Sequence, residues 1–129
     1  ECDAVIILQP TNPIRDEIDL RNILNKFENS NRNSLCTFSI SRLKTGKIDN
    51  DTYIPINYKP GQRSQDLEKS YFENGLLYIT KVNSIIENEI ITEDVLPQVC
   101  ESFESEIDID YLVDFIYAEN IMKLKNGEK

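Results

Sequence analysis

Two carboxylates separated by one residue, Asp108 and Asp110, have the spacing that most directly suggests chemistry. They alternate with Ile107 and Ile109, and in an extended segment residues two apart point the same way. Carboxylates held side by side repel unless a cation or hydrogen-bond donors lie between them. A hard divalent ion such as Mg2+ suits such a pair, completing its shell with water and substrate phosphate oxygens. A structural role competes with this one. Asp110 stands where the N-cap of a following helix belongs, and Asp114 would then decorate its first turn. Capping by Asp110 still leaves Asp108 able to ligate.

Leu8-Gln9-Pro10-Thr11-Asn12-Pro13-Ile14-Arg15 is a second candidate. It follows an apolar run that reads as a parallel strand, and open α/β sheets bind ligands beyond the carboxyl ends of such strands. Gln9 can present an amide to a substrate, and Arg15 can meet a carboxylate or phosphate. Taken alone, the segment reads first as a proline-stiffened connector with an exposed arginine. Gln62-Arg63-Ser64-Gln65-Asp66-Leu67, followed by Asn74-Gly75-Leu76-Leu77-Tyr78, is the third. Arg63 is one of few cations in an acidic chain, and Asn74-Gly75 reads as a turn entering a strand. A solvated arginine and a routine turn account for both. Lys44 and Lys47 read as solvated.

The elements that must position these residues belong to a chain of 129 residues, 40% hydrophobic and 29% charged, ordinary values for one globular domain. A formal net charge of −9 offers no positive footprint, so no nucleic-acid partner is expected. Anionic substrates would need local cations or a metal to hold them. The sequence has no histidine, which removes the commonest general base, the usual zinc ligand and every Ser–His or Cys–His nucleophile. Cys2, Cys36 and Cys100 fit neither zinc spacing nor a disulfide framework, so reduced thiols in a cytoplasm are expected, with Cys36 packed as a small hydrophobe. No stretch approaches the roughly 20 apolar residues that cross a bilayer, and no membrane partner is expected.

Ala4 to Leu8 reads as a strand covered on both faces in a parallel sheet. Its place at the start, straight after Glu1, suggests that an upstream element has been removed. A helix is expected from Asp16 to Phe27, closed by the Asn-rich Glu28 to Asn33, and a strand from Leu35 to Ile40. That order implies a parallel α/β unit with a right-handed crossover. Ser41 to Gln65, with turn signals around Tyr53-Ile54-Pro55-Ile56, reads as an excursion from the sheet: a flap, hairpin or arm. A strand over Leu76 to Thr80 and a weak helix over Val82 to Glu87 follow. The last helix carries a mostly apolar stripe of Leu112, Phe115, Ile116, Glu119 and Met122, with Lys123, Lys125 and Gly127 marking its end.

In order, LQPTNPIR, then RSQDL followed by YFENGLLYI, then EIDIDYLVDFIYAE resemble the later motifs of the CMP-N-acylneuraminate (CMP-sialic acid) synthetases, the acylneuraminate cytidylyltransferase family. That family carries an LQPTSPLR-like loop, an arginine–glutamine segment leading to NGAIYI, and an IDID pair before a helix. The match runs from Asp3 to about Glu119. It implies a partial Rossmann-like α/β sheet of the nucleotide-diphospho-sugar transferase type with a small dimerisation arm, in a cytoplasmic homodimer. It implies transfer of CMP from CTP to an N-acylneuraminate-type, acidic nine-carbon sugar, with pyrophosphate released and Mg2+ as cofactor. By the same match Asp108 and Asp110 ligate the metal and serve catalysis, Gln9 touches the sugar, Tyr78 lines its pocket and Arg63 is the candidate for its carboxylate. Arg15, Gln65 and Asn74 complete the substrate-binding set. The chain then divides into 1–40, the second part of the core; 41–80, a dimerisation and sugar-site arm; and 81–129, the return to the core with the metal motif.

Three departures accompany the match. The family's Arg- and Gly-bearing loop that cradles the CTP phosphates has no counterpart here, so the chain reads as a C-terminal portion and is expected to be inactive alone. Arg63-Ser64-Gln65 stands where Arg-Arg-Gln is common, and Ile90-Ile91 where an aromatic pair is common. These leave the sugar open, legionaminic and pseudaminic acid relatives included. Two other readings also stay open: a catalytically inactive dimerising or regulatory module, and a nucleotidyltransferase for another acidic sugar of the octulosonate kind.

Overall fold

A computed structural model describes Cys2 to Gly127; Glu1, Glu128 and Lys129, at the outer ends of the expected segments, lie outside the described residues. In chain order the elements are β1 (Ala4–Ile7), α1 (Leu20–Glu28), β2 (Ser34–Ser41), β3 (Gly46–Asp49), β4 (Thr52–Pro55), β5 (Ser70–Lys81), α2 (Val82–Ile86), β6 (Leu96–Cys100) and α3 (Leu112–Lys125). They form two compact units, one made of the chain up to Ser39 and from Glu73 onward, the other of Ile40–Phe72.

The first unit is α/β around a mixed four-stranded sheet of order β1-β5-β2-β6. β2 pairs in parallel with β6, Leu35 opposite Leu96 and Ser39 opposite Cys100. β1 pairs antiparallel with β5, Ala4 opposite Lys81 and Ile7 opposite Tyr78. The expected parallel interior strand at Ala4 to Leu8 is thus an edge strand, and Ile6 and Leu8 are 39% and 47% exposed. A short apolar run specifies a strand without naming its neighbours. β5, which begins at Ser70, well after β2 begins at Ser34, takes the place between β1 and β2.

α1 starts at Leu20, four residues later than expected, because Asp19 caps it by accepting the Asn22 amide at 3.1 Å. The two upstream acids serve elsewhere. Asp16 pairs with Lys125 at 2.5 Å, and Glu17 accepts the amides of Glu101 and Ser102 at 3.1–3.2 Å. Ile23 and Phe27 on α1 bury against Leu35, Leu77 and Ile79, with Ile18, Leu24 and Leu96 at the margin. Truncating one of these to alanine typically costs about 2–5 kcal/mol.

A second apolar cluster joins Ile14, Ile107 and Ala118, with Ile109 and Ile121 packed on it. Here α3 contacts the core through Ala118 and Ile121, whereas the expected stripe faces elsewhere: Leu112 is 75% exposed, and Phe115, Ile116 and Met122 are exposed too. α3 is apolar almost all round, so its periodicity could not pick the buried side. It ends at Asn126 and Gly127, the glycine in the left-handed region at φ 70°, as its sequence signals suggest.

The second unit is built on the antiparallel β3–β4 hairpin, Gly46 opposite Pro55 and Asp49 opposite Thr52. Asn50 and Asp51 both adopt positive φ, the type I′ geometry that suits the strand twist. Asn57 ties the unit by accepting the Thr45 amide and donating to the Leu43 carbonyl, both at 2.8 Å.

Candidate functional site

The Gln9 loop is organised around Asn12, which lies between the two prolines and is fully buried. Its side-chain amide donates to the Asn74 carbonyl at 2.9 Å and to the Ile107 carbonyl at 3.1 Å. Beside it, the Ile109 amide donates to the Thr11 carbonyl at 2.9 Å. One short loop therefore touches the two other segments singled out in this unit. The Arg15 guanidinium folds back and donates through Nη2 to the Gln9 carbonyl, while its Nε is buried without a partner among the described residues.

Asn74 and Gly75 do not form a turn. They lie inside β5, and Gly75 has φ 77°. A Cβ at Gly75 would stand 2.5 Å from Gln9 Oε1 and 2.7 Å from Asn12 Oδ1. The glycine is a point of close approach within a strand, so its Asn-Gly signature reports contact rather than chain reversal. Asn74 is buried, and its amide nitrogen donates to Ser39 Oγ at 3.0 Å while its oxygen accepts the Leu76 amide. Ser39 in turn meets Ser105 at 3.1 Å, and Ser105 donates to the Ser102 carbonyl. The Asn74 side chain is thus committed to a buried polar chain linking β5, β2 and the short 3-10 turn Phe103–Glu106.

That turn delivers the acidic pair. Ile107 is buried and Ile109 half-buried, while Asp108 and Asp110 are exposed, so the alternation separates apolar and acidic side chains although the segment is not a strand. Asp110 is not the N-cap of α3; Tyr111 is. Asp114 performs the capping service, accepting the amides of Asp110 at 3.2 Å and Tyr111 at 2.8 Å. Among the described residues neither Asp108 nor Asp110 has its carboxylate in a hydrogen bond or an ion pair. Asp108 borders a hollow of about 310 Å³ with Ile107, Asp114 and Tyr117.

Two uncommitted carboxylates are the donor set a hard divalent cation takes when water and phosphate complete its shell. No group of three or more Asp, Glu, Cys or His side chains among the described residues could hold a metal. Any ion on this pair would therefore take most of its ligands from water and substrate rather than from a protein cage.

Tyr78, half-buried on β5 opposite Ile7, has its hydroxyl pKa raised, first by burial and then by Cys36, Glu73 and Asp108. Its phenol therefore stays protonated at neutral pH. Cys36 is pushed up to about 12 by burial, and Cys100 is raised for the same reason; both are buried and free, and Cys2 is free and exposed. Gln9, Arg15, Asn74, Tyr78, Asp108 and Asp110 thus all belong to the first unit. Arg63 and Gln65 belong to the second, at the 3-10 turn Ser64–Asp66. There Arg63 makes a two-pronged pair with Asp66 at 2.8 and 3.3 Å and is largely exposed. Lys44 donates to the Gln62 carbonyl and stands 5.3 Å from the Tyr58 ring centre.

Sequence reasoning passed over Asn12, the capping role of Asp114 and the Ser39–Ser105 link. Asn12 lies in the same loop as Gln9, whose amide has equal donor capacity, so residue type alone does not single it out.

No family model matches the chain. Over 131 aligned residues, covering 95% of the chain, it is 30% identical to the CMP-N,N'-diacetyllegionaminic acid synthase of Legionella pneumophila, and it spans 55% of that protein's own length. Among the described residues no helix is long and apolar enough to cross a membrane. The likeness extends over nearly the whole chain and about half of the relative.

Proposed function

We propose that the chain is the later portion of a cytidylyltransferase that transfers CMP from CTP to a nonulosonic acid. The observation that carries this reading is the convergence on Asn12 of the Gln9 loop, the Asn74–Gly75 kink and the segment bearing Asp108 and Asp110. These are the motifs of the family resemblance, and the 30% identity to a synthase of a CMP-activated nonulosonic acid supports the same chemistry.

In this reading a sugar hydroxyl gives its proton to solvent, its oxygen bonds to the α-phosphorus of CTP, and the bond to the departing pyrophosphate breaks. Asp108 and Asp110 would hold Mg2+, which when bound offsets phosphate charge. Gln9 offers its amide to the sugar from a loop braced against Gly75. Tyr78, kept neutral, lines the sugar pocket as a hydrogen-bond donor. Asn74 serves from behind as a brace, and Arg15 stiffens the loop through the Gln9 carbonyl. Arg63, the candidate for the sugar carboxylate, and Gln65 belong to the other unit, where Arg63 pairs with Asp66.

The 40–72 unit is the dimerisation arm in this reading, in a homodimer. Ile48 and Ile56 there are exposed apolar side chains, which suits burial against a second copy.

The test is CMP-sugar formation by the full-length protein with CTP, Mg2+ and a panel of nonulosonic acids, read by mass spectrometry. N,N'-Diacetyllegionaminic acid is the first sugar to try, with N-acetylneuraminic and pseudaminic acids beside it. Transfer to at least one is expected. Transfer to none would favour a non-catalytic dimerising module instead.

A further inference from the structure

Resting on the functional reading above, we infer that Asn12 is a positioning residue that fixes the sugar-facing Gln9 against the metal-facing Asp108 without touching substrate itself. Its full burial rules out substrate contact. A buried amide is costly unless bonded, and this one spends both N–H groups on backbone carbonyls, those of Asn74 and Ile107, 62 and 95 residues away in sequence. Backbone acceptors matter here, because they fix the chain and not merely a flexible side chain. The Ile107 carbonyl immediately precedes Asp108. On its other side the Ile109 amide donates to the Thr11 carbonyl. Asp108 is thereby pinned before and after by two neighbouring residues of one loop.

The other end of the same loop is registered by Gly75. The side-chain oxygens of Gln9 and Asn12 both press where a Cβ would be, at 2.5 and 2.7 Å, so the two amides share one glycine surface. Asn12 also holds that glycine in place through the carbonyl of Asn74, the residue before it. Disturbing Asn12 therefore shifts the Gln9 amide and the Asp108 carboxylate relative to each other, while leaving both groups chemically intact.

Asn12→Asp tests this with almost no change in size, since it turns a donor into a carboxylate oxygen facing two carbonyls. Asn12→Ser retains one donor and is the milder variant. Steady-state rates of the full-length protein are measured against sugar, Mg2+ and CTP separately. The sugar KM and the Mg2+ concentration for half-maximal rate are expected to rise about tenfold or more in Asn12→Asp, with a smaller rise of about threefold in Asn12→Ser, and the CTP KM to stay within about twofold. A residue that only supports folding would lower kcat in proportion to the folded fraction and leave all three constants alone; that result overturns the inference. Should Asn12→Asp fail to fold, the same split in Asn12→Ser decides. A wild type that makes no CMP-sugar removes the functional reading and this inference together, an outcome distinct from an active wild type with indifferent variants.

Discussion

Asn12 and Asp108 sit on segments joined by direct hydrogen bonds, yet they stand in opposite relations to water. Asn12 is buried with both N–H groups committed, whereas Asp108 and its neighbour Asp110 are exposed with carboxylates uncommitted among the described residues. A neutral amide can be buried at modest net cost once bonded, but an ionised carboxylate loses far more on leaving water. Position is therefore stored in the neutral polar groups inside, while the charged groups outside keep their oxygens uncommitted. The buried chain Asn74–Ser39–Ser105 extends the first kind of region through three elements. Asp114 shows the boundary between the kinds: an acid at the surface whose oxygen is spent on two backbone amides and is no longer free in the way its neighbours are.

Substitutions on the two sides should separate rate from stability, and the largest effect lies on the exposed side. Asp108→Asn keeps shape and removes charge. CMP transfer is expected to fall about a thousandfold with the urea unfolding midpoint unchanged. A loss of less than tenfold would erase the division of labour. On the buried side, Asn12→Ala leaves two carbonyls unbonded and is expected to destabilise by about 2–5 kcal/mol in urea titrations. Asp110→Ala, exposed and unpaired, should shift stability by less than about 0.5 kcal/mol. Equal costs at the two positions would contradict the comparison.

A smaller effect follows from the buried thiol. The Cys36 pKa is raised from 9.0 to about 12, burial being the main cause and Glu73 the next. Between those values an unfolded chain gives up a proton that the folded chain keeps, so stability falls as pH rises above 9. Cys36→Ala should flatten that fall by one proton and leave the slope near neutrality unchanged, which urea midpoints at several alkaline pH values would reveal. The smallest effect belongs to the second unit. Arg63→Ala breaks an exposed pair with Asp66 and should cost less than about 1 kcal/mol, because solvent screens such pairs.

The sequence carried the local part of this arrangement better than the long-range part. Ile107 and Ile109 point inward and the two aspartates outward because alternation is a property of neighbouring residues. Gly127 ends α3 for an equally local reason. Strand order was not legible, since nothing within Ala4–Ile7 specifies that β5 lies between β1 and β2. The start of α1 moved to Leu20 because Asp16 and Glu17, good first-turn acids by type, are drawn to Lys125 and to the amides of Glu101 and Ser102. The Asn74-Gly75 pair carries the usual mark of a hairpin turn, but what it accommodates is the approach of Gln9 and Asn12 from another segment. Asn12 itself was hidden for the plainest reason: its partners are backbone carbonyls, which have no sequence identity.

The proposal that Asp108 and Asp110 share one cation is tested most directly by titrating the isotopically labelled protein with Mn2+ and following amide signals by NMR. Selective broadening of residues 107–111, extending to the loop around Gln9 and abolished by Asp108→Asn, is the expected result. Broadening spread over the acidic surface, or centred elsewhere and indifferent to Asp108→Asn, would contradict it.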